Sequence, residues 1–89
     1  MAYLSKNLSV LAYSNGFTLW HYTTPDTATT VDTSGYFNAA SDMVRVGDMI
    51  LANTDTGASI ATGVFVVASN TASVVDVANL TQMNSTNTD

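Results

Sequence analysis

Over much of this chain apolar and polar residues alternate with a period of two, and turn signals break the pattern at short intervals. Leu8–Tyr13 (LSVLAY) reads as a first strand. Ser14-Asn15-Gly16 follows, and Asn-Gly suits a tight hairpin because both residues tolerate positive φ. Phe17–Thr23 (FTLWHYT) predicts a second strand, rich in the aromatic and β-branched residues that pack well on a pleated surface. Its alternation puts Phe17, Leu19 and His21 on one face and Thr18, Trp20 and Tyr22 on the other.

Three more strands follow at Met49–Asn53 (MILAN), Gly63–Ala68 (GVFVVA) and Ser73–Ala78 (SVVDVA). Turns are expected at Asp55-Thr56-Gly57 and Ser69-Asn70-Thr71. The unbroken apolar run Val64–Val67 predicts a strand covered on both faces. Thr24–Ser34 reads as a loop, because it holds the only proline, Pro25, and many residues whose side chains compete for backbone hydrogen bonds. Gly35-Tyr36-Phe37 returns the chain to the core, and Asn38 is placed to cap a short helix or helical turn through Ala39–Met43.

Five or six short strands with at most one short helix predict a mainly β fold, a small antiparallel β-sandwich or barrel. A single domain over 1–89 is expected, with polar arms at about 1–7 and 79–89.

Length sharpens this picture. A domain of 89 residues buries only roughly two-thirds of the surface its unfolded chain exposes. The chain has no cysteine and one histidine, so neither disulfides nor a zinc site are expected to reinforce it. Oligomerisation or docking on a larger partner is the remaining route. The lack of cysteine fits assembly in a reducing cytoplasm. Leu8–Tyr13 is too short and too interrupted by Ser9 for a signal peptide. No apolar run approaches the ~20 residues of a membrane helix.

Charge narrows the partners. Lys6 and Arg45 face seven aspartates, for a net charge of -5. Two cations cannot neutralise several phosphates, so neither nucleic acid nor an anionic membrane is an expected partner. Charged residues make up 10% of the chain, against ~25% in an ordinary soluble domain. Thr, Ser and Asn supply the polarity instead. A hydroxyl is far less costly to bury than an unpaired charge, so this is a surface suited to being covered.

Candidate chemistry is sparse. His21 is the only histidine; it shares a face with Phe17 and Leu19 and reads as a core or interface residue rather than a catalytic base. The aspartates sit mostly at turns, where they bond backbone amides. Asn53-Thr54-Asp55-Thr56-Gly57 echoes a calcium loop but lacks its length and closing Glu. The glycines form no phosphate loop. No catalytic residue, cofactor or metal is therefore expected. Trp20 and Tyr22 suit a core, a protein interface or a ligand platform. Asp76 alternates with Val75 and Val77 and faces solvent or a partner. Trp20, His21, Tyr22, Tyr36, Phe37 and Asp76 are the candidate interface residues.

The segments LAYSNGFTLWHY, GYFNAASDM and VGDMILAN, spread over Leu8–Leu51, resemble small virion structural proteins of tailed bacteriophages, of the head decoration and head fibre type. The resemblance implies a non-enzymatic part of a virus particle, assembled in the host cytoplasm. It implies a capsid decoration (cement) protein or head-fibre base that binds the outer capsid surface, with the major capsid protein or other virion proteins as partners. The small unreinforced core points to a homo-oligomer, a trimer first because shells offer three-fold sites, with monomers docked singly on capsid subunits as the alternative. The alternative is a receptor- or glycan-binding module on a fibre or tail, with the aromatic cluster exposed.

Overall fold

The computed structural model describes residues 3–83. Six strands form one open sheet: β1 (Leu8–Ser14), β2 (Phe17–Thr23), β3 (Met49–Thr54), β4 (Ala61–Thr71), β5 (Val74–Val77) and β6 (Thr81–Gln82). Their order is β1-β2-β3-β4-β5, and β6 also pairs with β4. One short helix, α1 (Ala28–Val31), and 3-10 turns at Ser5–Asn7 and Asn38–Ala40 complete the described elements. The fold is mainly β with one short helix, as the pattern predicts.

Within it, the sheet is mixed and does not close into a barrel. β2 and β3 run parallel, from Leu19 opposite Met49 to Thr23 opposite Asn53. A hairpin cannot join parallel neighbours; a crossover of a dozen or more residues is required. Residues 24–48 supply it, and they supply the second layer as well. Val31, Phe37, Ala40 and Val44 from the crossover are buried in one cluster with Trp20, Tyr22, Ile50 and Phe65 from the sheet. The result is sandwich-like, a sheet faced by an irregular layer.

The local signals fare unevenly. At the β1–β2 hairpin Asn15 and Gly16 have φ of 57° and 82°, the all-positive turn that Asn-Gly favours. The register runs from Ser14 opposite Phe17 to Leu8 opposite Tyr22, with one irregularity between Val10 and Ala12. The β4–β5 turn falls on Ala72 and Ser73, not on Ser69-Asn70-Thr71. Asn70 lies within β4, and its amide donates to the carbonyls of Ser41 and Val44, both at 2.8 Å. It holds the crossover against the sheet instead of turning the chain.

α1 lies in the stretch read as a loop. Thr27 caps it, its hydroxyl accepting from the Thr30 N–H. The expected short helix or helical turn after Asn38 is a 3-10 turn over Asn38–Ala40. The Asn38 side chain does not cap it, because its Oδ1 accepts from the Val75 N–H at 2.8 Å.

The expected arms also need correction. Tyr3 stacks on Tyr22 with ring centroids 5.7 Å apart, and Leu80 packs against the core. β6 lies on Gly63 and Val64. That approach requires the glycine: a Cβ at Gly63 would collide with the Thr81 carbonyl and lie 2.9 Å from the Gln82 Cα. Residues 3–7 and 79–83 therefore belong to the fold. The remainder of the expected arms, 1–2 and 84–89, lies outside the described residues.

The apolar strand is covered on one face only. Phe65 and Val67 are buried in the core, whereas Val64 and Val66 point the other way and are half-buried. No element of the described chain covers that side.

The Ala72–Ser73 turn yields a stability prediction. Both residues hold positive φ, 52° and 66°, without being glycine, a conformation that strains any residue with a Cβ. Ser73→Gly is expected to relieve this and gain about 1 kcal/mol after the extra entropy of an unfolded glycine is subtracted. Thermal melting followed by circular dichroism should show a midpoint about 4–8 °C higher. A lower midpoint would mean that the Ser73 side chain contributes more than its backbone strain removes.

Candidate docking face

The sheet has an inner face, packed on the crossover, and an outer face that is bare. Register builds the outer face in rows. Leu19, Met49 and Val66 stand side by side across β2, β3 and β4, and His21, Leu51 and Val64 form the next row. Phe17 extends the field toward the hairpin. Phe17 and Met49 are 37% and 42% exposed, and Leu19, Leu51, Val64 and Val66 are half-buried. Neighbouring strands are about 4.8 Å apart, so these six side chains make one continuous apolar field without a formal charge.

Polar groups bound it. Thr23, Asn53 and Thr62 form the row beyond His21, and the Thr62 hydroxyl donates to Asn53 Oδ1 at 2.6 Å. His21 Nε2 lies 3.4 Å from the Thr23 hydroxyl. Asp76, half-exposed, stands on β5 opposite in direction to the buried Val75 and Val77.

Three of the six candidate interface residues are not surface residues at all. Trp20, Tyr22 and Phe37 are 6%, 0% and 1% exposed and belong to the core. His21, read as a core or interface residue beside Phe17 and Leu19, lies on the outer face. Tyr36 is half-buried against the core. Alternation separates the two sets of β2 side chains but does not say which set the chain covers. The crossover decides that, and it covers Trp20 and Tyr22. The residues that do form the bare field, Leu19, Met49, Leu51, Val64 and Val66, carried one readable signal. β2, β3 and β4 are apolar on both faces, which marks sheets meant to be covered twice.

Two buried polar networks fix the inner layer. Asp48 is 1% exposed and immediately precedes β3. Its Oδ1 accepts from the Thr18 N–H at 3.1 Å. Its Oδ2 accepts from Trp20 Nε1–H at 3.1 Å and from the Arg45 backbone N–H at 3.0 Å. The chain approaches through Gly47, whose φ of 93° favours glycine. Three N–H groups replace the water that a buried carboxylate loses. The sequence showed only a turn aspartate here.

The second network runs through the tyrosines. The Leu4 N–H donates to Tyr22 Oη at 3.2 Å. Tyr36 Oη donates to Asp26 Oδ2 at 2.6 Å, which leaves the Tyr22 hydroxyl to donate to Tyr36 at 2.9 Å. Tyr3, Tyr22, Tyr36 and Phe37 pack around this chain, each ring within 6.3 Å of the others between centroids. Burial first, then the hydrogen bonds to Asp26 and Tyr22, push the Tyr36 phenol well above its ordinary 10.0. Burial and the neighbouring Tyr22 raise Tyr3 as well.

Among the described residues no group of three or more His and Asp side chains stands close enough to hold a metal ion. No helix there is long and apolar enough to cross a membrane. No protein-family model, curated protein or solved structure matches the chain.

Two predictions follow from the networks. Asp48→Asn puts an amide N–H₂ against at least one N–H donor whichever way it turns, Thr18 on the Oδ1 side or Trp20 and Arg45 on the Oδ2 side. It should cost about 3 kcal/mol or more, one unsatisfied buried donor accounting for about 1–3 kcal/mol and the lost charge for the rest. Denaturant unfolding should show a lower midpoint with an unchanged slope; an unchanged midpoint would mean that the carboxylate stabilises nothing. The tyrosine network makes the fold sensitive to alkali. Raised folded pKa values mean that the fold keeps the phenol protons which the unfolded chain releases above pH ~10. Stability is thus fully present below that pH and is lost as pH rises beyond it. Melting midpoints should begin to fall near pH ~10 and go on falling as pH rises above it, less steeply in Tyr36→Phe. Phenolate absorbance for Tyr36 appearing while the protein remains folded would contradict this.

Proposed function

We propose that the protein is a non-enzymatic structural component of a tailed bacteriophage particle. Its role is that of a capsid decoration protein or head-fibre base that docks on the outer shell through the bare face of its sheet. The observation that carries this reading is the charge-free apolar field of Phe17, Leu19, Met49, Leu51, Val64 and Val66. Such a field contributes roughly 25 cal/mol for each Å² of apolar surface removed from water. It suits a partner that stays in place, because a sheet face left wet in a monomer is usually polar. The resemblance of LAYSNGFTLWHY, GYFNAASDM and VGDMILAN to small phage virion proteins supports the particle as that partner. The partners are then the major capsid protein or other virion proteins, and the location is the virion.

The acidic, charge-poor composition is consistent with this role. With a net charge of -5, the chain is not drawn to the nucleic acid a particle contains. The burial of Trp20 and Tyr22 supports docking over a receptor- or glycan-binding platform, since neither ring is available to stack on a sugar.

The test is co-sedimentation of the purified chain with particles of the encoding phage, followed by electron cryo-microscopy of the complex. The wild type is expected at a fixed copy number on the shell with the outer sheet face against it. Leu51→Lys should lower occupancy at least about tenfold, equivalent to ~1.4 kcal/mol, with an unchanged circular dichroism spectrum. Absence from particles, or full occupancy by Leu51→Lys, would overturn the reading.

A further inference from the structure

The two edges of the sheet are finished differently. On the β5 edge Val75 is capped on both sides of its peptide: the Gly35 N–H donates to its carbonyl and Asn38 Oδ1 accepts its N–H, both at 2.8 Å. The opposite edge is β1. Among the described residues, the one hydrogen bond beyond its ladder with β2 runs from the Leu8 N–H, at its start, to the Ser5 carbonyl just before it; from Ser9 to Ser14 its outer side is unpaired. An open edge is a template for another strand, and proteins that must stay apart usually place lysine or proline there. β1, LSVLAYS, has neither. It instead exposes three large apolar side chains, Val10 at 53%, Leu11 at 53% and Tyr13 at 62%.

We propose that β1 is the seam of a homodimer, in which β1 of one copy pairs antiparallel with β1 of a second copy across a two-fold axis. Charge selects this occupant. From Asn7 to Pro25 the chain has no Asp, Glu, Lys or Arg. Every copy carries the same net charge of -5, so copies repel one another except where such a charge-free surface meets its like. A basic partner would be drawn to the aspartates, which lie elsewhere.

Geometry agrees. An antiparallel self-pairing offers the same donors and acceptors from both sides, so it is complementary to itself. The irregularity at Leu11 divides the edge into Leu8–Val10 and Ala12–Ser14. In a pair centred near Leu11, each run of one copy faces the other run of its mate. The capping of Val75 removes the β5 edge as a second template for strand pairing. The seam is two-fold, whereas the three-fold sites of a shell point to a trimer first. It leaves the outer apolar faces of both copies free and can be tested without particles, so its failure would not touch the docking reading.

The experiment is sedimentation velocity of the full chain over a wide concentration range, for the wild type, Leu11→Lys and Leu51→Lys. A reversible dimer is expected for the wild type and for Leu51→Lys. Leu11→Lys places like charges together at the seam and should weaken the dimer at least about tenfold. Because the chain lacks cysteine, a single Leu11→Cys gives a second reading that does not depend on tolerance of lysine. Mild oxidation should link two copies through position 11 and should not link Ile60→Cys, exposed in the β3–β4 loop. A wild type that stays monomeric would overturn the proposal. So would a dimer that survives Leu11→Lys, one broken only by Leu51→Lys, or failure of Leu11→Cys to cross-link. A larger species, or pairing through another segment of the chain, would overturn it too.

Discussion

The Asp48 carboxylate is the joint on which the architecture turns. It sits at the end of the crossover and holds the first strand pair through Thr18 and Trp20, while Arg45 closes the turn from the other side. An uncompensated carboxylate at this depth would be strongly destabilising. Three well-placed N–H donors make it tolerable, and they make it specific, because only one placement of the crossover satisfies all of them. The backbone repeats the tie: the Val67 N–H donates to the Asp48 carbonyl at 2.9 Å, and the Gly47 N–H donates to the Val67 carbonyl at 2.9 Å. One residue therefore registers β2, β3 and β4 against each other.

Fixing the crossover on one side of the sheet determines what remains bare. The chain has a single irregular layer to spend on a two-faced sheet, and Asp48, Asn70 and Asn38 all draw that layer inward. The opposite side keeps its apolar rows. Polar satisfaction inside and apolar exposure outside thus have one origin. The composition fits: nearly all the special side chains of the molecule, the buried Asp, Trp and Tyr groups, are engaged in holding its own layers together.

How much of this could be read from the residues depended on distance along the chain. Asn15-Gly16 specified its hairpin because the preference is local. The alternation in β2 specified two sets of side chains, but the choice between them rests on contacts made by residues 24–48. The role of Asp48 was unreadable for the same reason, since its side-chain partners on β2 lie 30 and 28 residues away. Ala72 and Ser73 misled because they occupy a turn that their own chemistry disfavours. The pairing of β5 with β4 overrides it. The outer field was half legible: the doubly apolar strands announced two-sided cover, but not that the chain itself would provide only one side.

The parallel pairing of β2 and β3 has a kinetic consequence. The β1–β2 hairpin is local and can form within about 1–10 μs. β3 cannot join it until residues 24–48 have been laid down and their ends brought together, and loop-closure entropy opposes that step until the contacts form. During this interval the indole N–H of Trp20 has no carboxylate to bond, and both faces of β2 are wet. That half-built state exposes both faces of β2 and the β1 edge, the kind of surface through which incompletely folded chains associate. Its end is marked when the Trp20 indole leaves water.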